Sequence, residues 1–411
     1  MIRFRSQKFL FISAITGATV ILGCGGGSAS SSSGGGSGSV NNTQTITVST
    51  GPAAAAPYNE PYINGGFTTV TVCVPGSTTN CQTIGGILVD TGSFGLRILS
   101  SALSVSLPQQ TDSSNNPIVE CFPFLDVVTW GPVQTADMTI AGEEAKSMPI
   151  QVIGSANFST VPSGCTAYGP PAEDLSDLGV NGLLGVGAFA QDCGDACTTS
   201  GSMNPGLYYT CPSSGCVVTS ESIANQVVNP VVLFAKDNNG VVIQFPQVSG
   251  AEVSVNGTLT FGIGTQSDNA LGSATVYGID PTTGNFTTTY GGVAYTDEGF
   301  LDTGSSGLFF LDSTTTGIPT CSDDPTWYCP ASTMNLSAVN QGANGATGTV
   351  NFSIANADVL LANSSDGVAA DLGGPIPGLF DWGLPFFFNR TVFVAIQGQS
   401  TSVGDGPYWA Y

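Results

Sequence analysis

From about Asn64 onward, apolar and polar residues fall in short runs broken by Gly, Pro, Asn and Asp. That rhythm is the signature of strands and turns, since helices need longer runs with apolar positions three and four apart. Residues 67–74, 86–90, 148–153 and 391–396 read as strands, rich in β-branched and aromatic side chains. Residues 231–245 read as a β-hairpin turning at Asn239 and Gly240. Few segments carry a helical pattern, and residues 221–228 are the best short candidate. The pattern therefore predicts an all-β chain.

The N-terminus departs from this rhythm. Arg3, Arg5 and Lys8 precede an apolar run over residues 9–23, too short for a comfortable membrane span and flanked as a secretory signal is. The run ends in Ile21, Leu22, Gly23 and Cys24, which resembles a bacterial lipobox. That resemblance implies that Cys24 is lipidated and becomes the first mature residue, anchoring the chain to a membrane without a transmembrane helix. Gly25 follows where inner-membrane lipoproteins carry Asp. By the same resemblance, the chain is an outer-membrane lipoprotein of the cell envelope, facing the periplasm or the surface. A Gly/Ser-rich stretch follows, a flexible tether. The chain thus divides into a signal peptide (1–23), a tether (24–60), an N-terminal β lobe (61–248) and a C-terminal β lobe (249–411).

Charge and composition narrow the chemistry. With 7 basic and 29 acidic residues the formal charge is −22, which repels phosphate backbones and argues against nucleic-acid binding. There is no histidine. This excludes Ser–His–Asp and Cys–His hydrolases, His-dependent metalloproteases and most catalytic zinc sites. Catalysis, if any, must rest on carboxylates, hydroxyls, a few Lys or Arg, or a cofactor; the missing His and the absence of a CxxC pair argue against a metal, and no cofactor is expected. Of 11 cysteines, setting Cys24 aside leaves ten, an even number suited to disulfides in an exported chain. Cys73/Cys81, Cys211/Cys216 and Cys321/Cys329 are spaced as local staples, and the partners of Cys121, Cys165, Cys193 and Cys197 stay open.

The main organising feature is an internal duplication. An apolar run, the word Asp90, Thr91, Gly92, Ser93, one variable residue, then Gly95 and Leu96 recurs as Asp302, Thr303, Gly304, Ser305, then Gly307 and Leu308. A given four-residue word arises about once per 10^4 to 10^5 positions at average usage. Two copies in matching contexts are therefore not accidental. These residues resemble the paired loops of pepsin-like aspartic peptidases, in which each of two pseudo-symmetric, barrel-like β lobes supplies one Asp to a cleft.

The resemblance extends further. Residues 180–187 are similar to the apolar-apolar-Gly element that crosses beneath the first loop, and residues 379–387 to its second-lobe counterpart. In the latter, Asp381 stands where an apolar residue is expected, and a buried extra carboxylate is costly unless paired. Trp130 and Gly131 match the aromatic-Gly tip of the covering hairpin, with residues 136–142 as its returning strand, and residues 257–263 resemble the strand that opens the second lobe. The resemblance implies the bilobal acid-protease fold, with Asp90 and Asp302 as a catalytic pair sharing one proton. Thr91 and Thr303 would cross-link the loops from below. Gly92 and Gly304 would permit the tight turns, Ser93 and Ser305 would hydrogen-bond the carboxylates, and Trp130 would close over substrate. The expected partners are a peptide or protein substrate and the membrane, with the chain a monomer.

Rival readings remain. A lone Asp-Thr-Gly is an ordinary turn, and fold alone does not decide activity. The alternative to a peptidase is a non-catalytic, surface-anchored binding protein on the same scaffold. A carboxylate-pair glycosidase fits less well, because sugar cleavage has no need of twin Gly turns. Arg97 and Arg390, two of four basic residues after Cys24, read as salt-bridge partners or as contacts for an acidic substrate group.

Overall fold

The first half of the chain runs through β1 (Thr43–Ser49), β2 (Gly65–Cys73), β3 (Cys81–Asp90), β4 (Phe94–Leu99), β5 (Ile118–Pro123), β6 (Val128–Ile140), β7 (Glu143–Ile153) and β8 (Gly182–Val186). These come from a computed structural model that describes residues 41–52 and 62–411. The signal, Cys24 and most of the expected tether lie outside the described residues. The fold is all-β and bilobal. Among the described residues no α-helix exceeds four residues, and none could cross a membrane.

Strand β1 corrects the tether boundary. Ile46 and Val48 alternate inward with polar residues, so this stretch gains by joining a sheet. It pairs antiparallel with β2 on one side and with the strand Val255–Phe261 on the other. It thereby stitches a continuous 15-stranded sheet that includes β2 to β8 and the strands Gly240–Phe245, Arg390–Ala395 and Tyr408–Ala410. A seven-stranded sheet, from Phe286–Tyr290 to Ile376–Trp382, forms the rest of the second lobe. The largest apolar core draws on both halves, from Ile46 and Val89 to Phe380 and Trp382.

Each half repeats one local arrangement. Strand β8 runs parallel to β3 and antiparallel to β4, threading between the two legs of the Asp90 loop. Likewise Ile376–Trp382 runs parallel to Val293–Leu301 and antiparallel to Leu308–Leu311, threading the legs of the Asp302 loop. Gly185 makes the first crossing possible, because a Cβ there would lie 2.5 Å from the Phe94 backbone N.

Two expected elements are absent in their expected form. Pro230–Leu233 is a 3₁₀ turn capped by the Asn229 side chain. Gly240–Phe245 therefore pairs with Val255–Phe261 and Arg390–Ala395, not back on residues 231–238. Pro230 at the start of the turn and the Asn229 cap favour this turn over an extended first arm. Of residues 221–228 only Ile223–Asn225 is helical, again 3₁₀. The three local disulfides form, and the open cysteines pair as Cys121–Cys165 and Cys193–Cys197.

Candidate functional site

The two Asp-Thr-Gly-Ser loops meet. Thr91 Oγ1 donates to Leu301 O at 3.0 Å and Thr303 Oγ1 to Val89 O at 2.7 Å. The Thr303 amide donates to Thr91 Oγ1 at 3.0 Å and the Thr91 amide to Thr303 Oγ1 at 3.1 Å. Each hydroxyl thus both donates to and accepts from the opposite loop, and all four bonds are buried. Small β-branched hydroxyls suit this place, since they have one stiff torsion to order and both hydrogen-bonding roles to offer.

Above this cross-link the carboxyls of Asp90 and Asp302 face one another within hydrogen-bonding reach. Both are nearly closed to solvent. The Gly92 amide donates to Asp90 Oδ1 at 2.8 Å and Ser93 Oγ to Asp90 Oδ2 at 2.5 Å. Symmetrically, the Gly304 amide donates to Asp302 Oδ1 at 2.7 Å and Ser305 Oγ to Asp302 Oδ2 at 2.9 Å. The glycines are steric requirements: a Cβ on Gly92 would lie 2.7 Å from Asp302 Cγ, and one on Gly304 2.8 Å from Asp90 Oδ1. Burial first, then the charges of Asp90 and Asp381, push the Asp302 carboxyl well above the usual range. Two carboxyls this close cannot both ionise cheaply, so the pair retains one proton.

The expected covering tip at Trp130 and Gly131 needs correction. The hairpin is β5–β6, whose ladder ends at Pro123 and Val128, with the Phe124 amide bonded to Val127 O across the turn. Trp130 lies inside β6, wholly buried, its indole N–H donating to Phe158 O at 2.7 Å and its ring edge-on to Tyr209. A large ring with a satisfied N–H gains more from this core than from a wet cleft. Gly131 serves packing, because a Cβ there would lie 1.9 Å from Val152 O. Neither residue is placed to cover a substrate.

Two residues near the pair carry no sequence motif. Tyr62 is buried, hydrogen-bonded to Ser306, and its phenol is pushed up by burial and then by Asp90, Asp302 and Asp126. It packs with Leu88 and Leu183, and Leu88 shares a strand face with Asp90. Beside it, Asn64 clamps the loops' surroundings: its amide nitrogen donates to Ser306 O at 2.7 Å and Ala369 O at 2.8 Å.

Asp126, in the hairpin turn, is 8% exposed, and among the described residues neither carboxyl oxygen has a hydrogen-bond partner. Burial pushes its carboxyl up to about 7. The folded chain then binds this proton more tightly than the unfolded chain, where a carboxyl titrates near 4. Its effect on stability is therefore smallest below pH 4, and stability falls as pH rises from about 4 to 7. We expect Asp126→Asn to match the wild type at pH 4 in urea denaturation and to exceed it by about 2–4 kcal/mol at pH 7.5. A variant no more stable at pH 7.5 would contradict this account.

Of the two arginines after Cys24, Arg97 is wholly buried between Glu120 and Asp192. Arg390 donates to the backbone oxygens of Phe386 and Asn351 and lies over the Phe386 ring. Neither is free for a substrate carboxylate. Among the described residues Cys321, Cys329 and Asp358 have metal-like spacing, but the two sulfurs are joined in a disulfide. A cavity of about 420 Å³ lined by Asp371, Phe386 and Arg390 lies in the second lobe, with neither Asp90 nor Asp302 in its wall.

A family model described as "Protein of unknown function (DUF3443)" matches residues 38–411. No curated protein matches the chain. Among solved structures, the chain is similar to the crystal structure of aspartic proteinase from Irpex lacteus, at 15% identity and a TM-score of 0.51, covering 90% of this chain and 96% of that one. At that identity the likeness concerns the fold.

Proposed function

We propose that this chain, which belongs to the DUF3443 family of proteins of unknown function, is an aspartic-type endopeptidase. The observation that carries the reading is the mutual approach of Asp90 and Asp302 on cross-linked loops, with each carboxyl held by a Gly amide and a Ser hydroxyl. The ionised member of the pair takes a proton from an attacking water as its oxygen bonds to the peptide carbonyl carbon. The protonated member donates to the carbonyl oxygen. Collapse of the tetrahedral diol expels the amine, which takes up a proton as the C–N bond breaks. No histidine, metal or cofactor is needed for these steps. The proposal includes lipid attachment at Cys24 and a cell-envelope location, supported by the basic, apolar and Cys order of the first 24 residues.

The test is cleavage of a mixed peptide library by purified protein between pH 3 and 7. We expect internal cleavage that is blocked by a peptide mimic carrying a hydroxyl at the scissile position. Such a mimic resembles the diol and binds at least about 100-fold tighter than a matched substrate. Absence of cleavage across this range, with tight peptide binding instead, would favour the binding-protein alternative.

A further inference from the structure

We propose that Asp381 is a third carboxyl of the site, which holds a proton and positions Ser305 to donate to Asp302. The inference rests on the peptidase reading and assigns a role to a residue that the pair chemistry leaves unused.

Asp381 occupies a defined ladder position. Phe300 pairs with Asp381 just as Leu88 pairs with Leu183, and each is two residues before its loop's Asp. The first lobe therefore holds buried Leu183 where the second holds buried Asp381. Ser305 Oγ lies 2.6 Å from Asp381 Oδ2 and 2.9 Å from Asp302 Oδ2. A hydroxyl has one proton to donate. It cannot serve two carboxylates at once, so one of the three oxygens must supply a second proton.

The surroundings identify which. Asp302 has two donors suited to an anion, the Gly304 amide and Ser305. Among the described residues Asp381 has Ser305 as its one side-chain partner, and its buried Oδ1 has none. No cation among the described residues pairs with Asp381 or acts on it. Across its ladders lie Phe300 and Phe309, and the following turn is Leu384–Phe387. The charged group acting on Asp381 is Asp90, those acting on Asp302 are Asp90 and Asp381, and burial foremost raises both carboxyls well above their usual range. The proton therefore sits on Asp381 Oδ2 and points to Ser305 Oγ, whose own proton points to Asp302. A hydroxyl that accepts a hydrogen bond is a stronger donor, so the chain favours ionised Asp302. Among the described residues no carboxyl stands behind Ser93, where the equivalent position is Leu183, and this makes the two halves of the pair unequal.

Two measurements test the proposal. The first is the pH profile of kcat/KM for peptide cleavage by Asp381→Leu, Asp381→Asn and wild type. Asp381→Leu loses the donor to Ser305, so Asp302 ionises less readily. Its acid limb should move up by about one pH unit, a tenfold loss on that limb. Asp381→Asn keeps an N–H donor and should hold the acid limb within a few tenths of a unit of wild type. The second is the infrared difference spectrum at pH 7 between wild type and Asp381→Asn, which should lose one protonated-carboxyl C=O band. An unmoved limb in Asp381→Leu, or no band lost in Asp381→Asn, overturns the proposal. If wild type cleaves no peptide, the peptidase reading fails separately and the infrared result still decides the protonation of Asp381.

Discussion

Asp90→Asn and Asp302→Asn should each lower kcat/KM for peptide cleavage by at least about 10^3-fold, within the range that positioned acid–base groups supply. An amide can neither take a proton from water nor pass one to the carbonyl oxygen, so one substitution disables the pair. The scaffold should survive. Asn can still accept from the Gly92 or Gly304 amide through its carbonyl oxygen, and the threonine cross-link does not involve the carboxyls. Replacing a buried acid with a neutral group also removes repulsion within the pair, so the melting temperature should hold or rise. The experiment pairs kinetics with thermal unfolding for both variants. Activity within tenfold of wild type in either variant, with the fold intact, would exclude the two-carboxyl mechanism.

Arg97→Leu should cost about 3–5 kcal/mol of folding stability at pH 7, the usual penalty for orphaning buried charge. Arg97 Nη2 contacts Glu120 Oε1 at 2.6 Å and Asp192 Oδ2 at 2.9 Å, with all three side chains closed to solvent. Its Nη1 donates to Phe94 O at 2.7 Å, and its guanidinium lies 3.5 Å from the Phe122 ring centroid. Two acids share one cation, so burial and then Glu120 push the Asp192 carboxyl well above its usual range. Tyr208 donates to Asp192 at 2.9 Å. Without Arg97 the acids must be protonated in the folded state. The deficit should therefore shrink as pH falls, because protonation at low pH is free. Urea denaturation at pH 7 and pH 4 measures both effects, and a loss under about 1 kcal/mol at pH 7 would refute them. Arg97 also lies on β4, directly after the Asp90 loop, so its loss should disturb that loop through Phe94.

What could be read along the chain was whatever repeats or lies close in sequence. The twin Asp-Thr-Gly-Ser words are local, and each encodes its own tight turn. The β character follows from alternation and turn residues. The pairs Cys73–Cys81, Cys211–Cys216 and Cys321–Cys329 are short enough to be seen by spacing, whereas Cys121 and Cys165 are 44 residues apart and meet only because residues 163–166 pack against the β5–β6 hairpin. The strand at residues 43–49 was hidden because its partners come from either half of the chain. Trp130 failed for a related reason. Its neighbour Gly suggested a hairpin tip, but the strand register that buries it depends on Tyr209 and Phe158, which no local pattern announces.

The sequence by itself determined that this is a β chain with two matched Asp loops, no imidazole chemistry and a set of local disulfides. Only the tertiary structure decided that the two carboxyls face each other, that Tyr62 and Asn64 crowd their surroundings, that Arg97 is consumed by Glu120 and Asp192, and that Asp381 reaches Ser305. The physical reason is range. Turn geometry and strand periodicity depend on neighbours within a few residues, whereas the protonation of a carboxyl depends on burial and on charges a few ångströms away, which arrive from the far end of the chain.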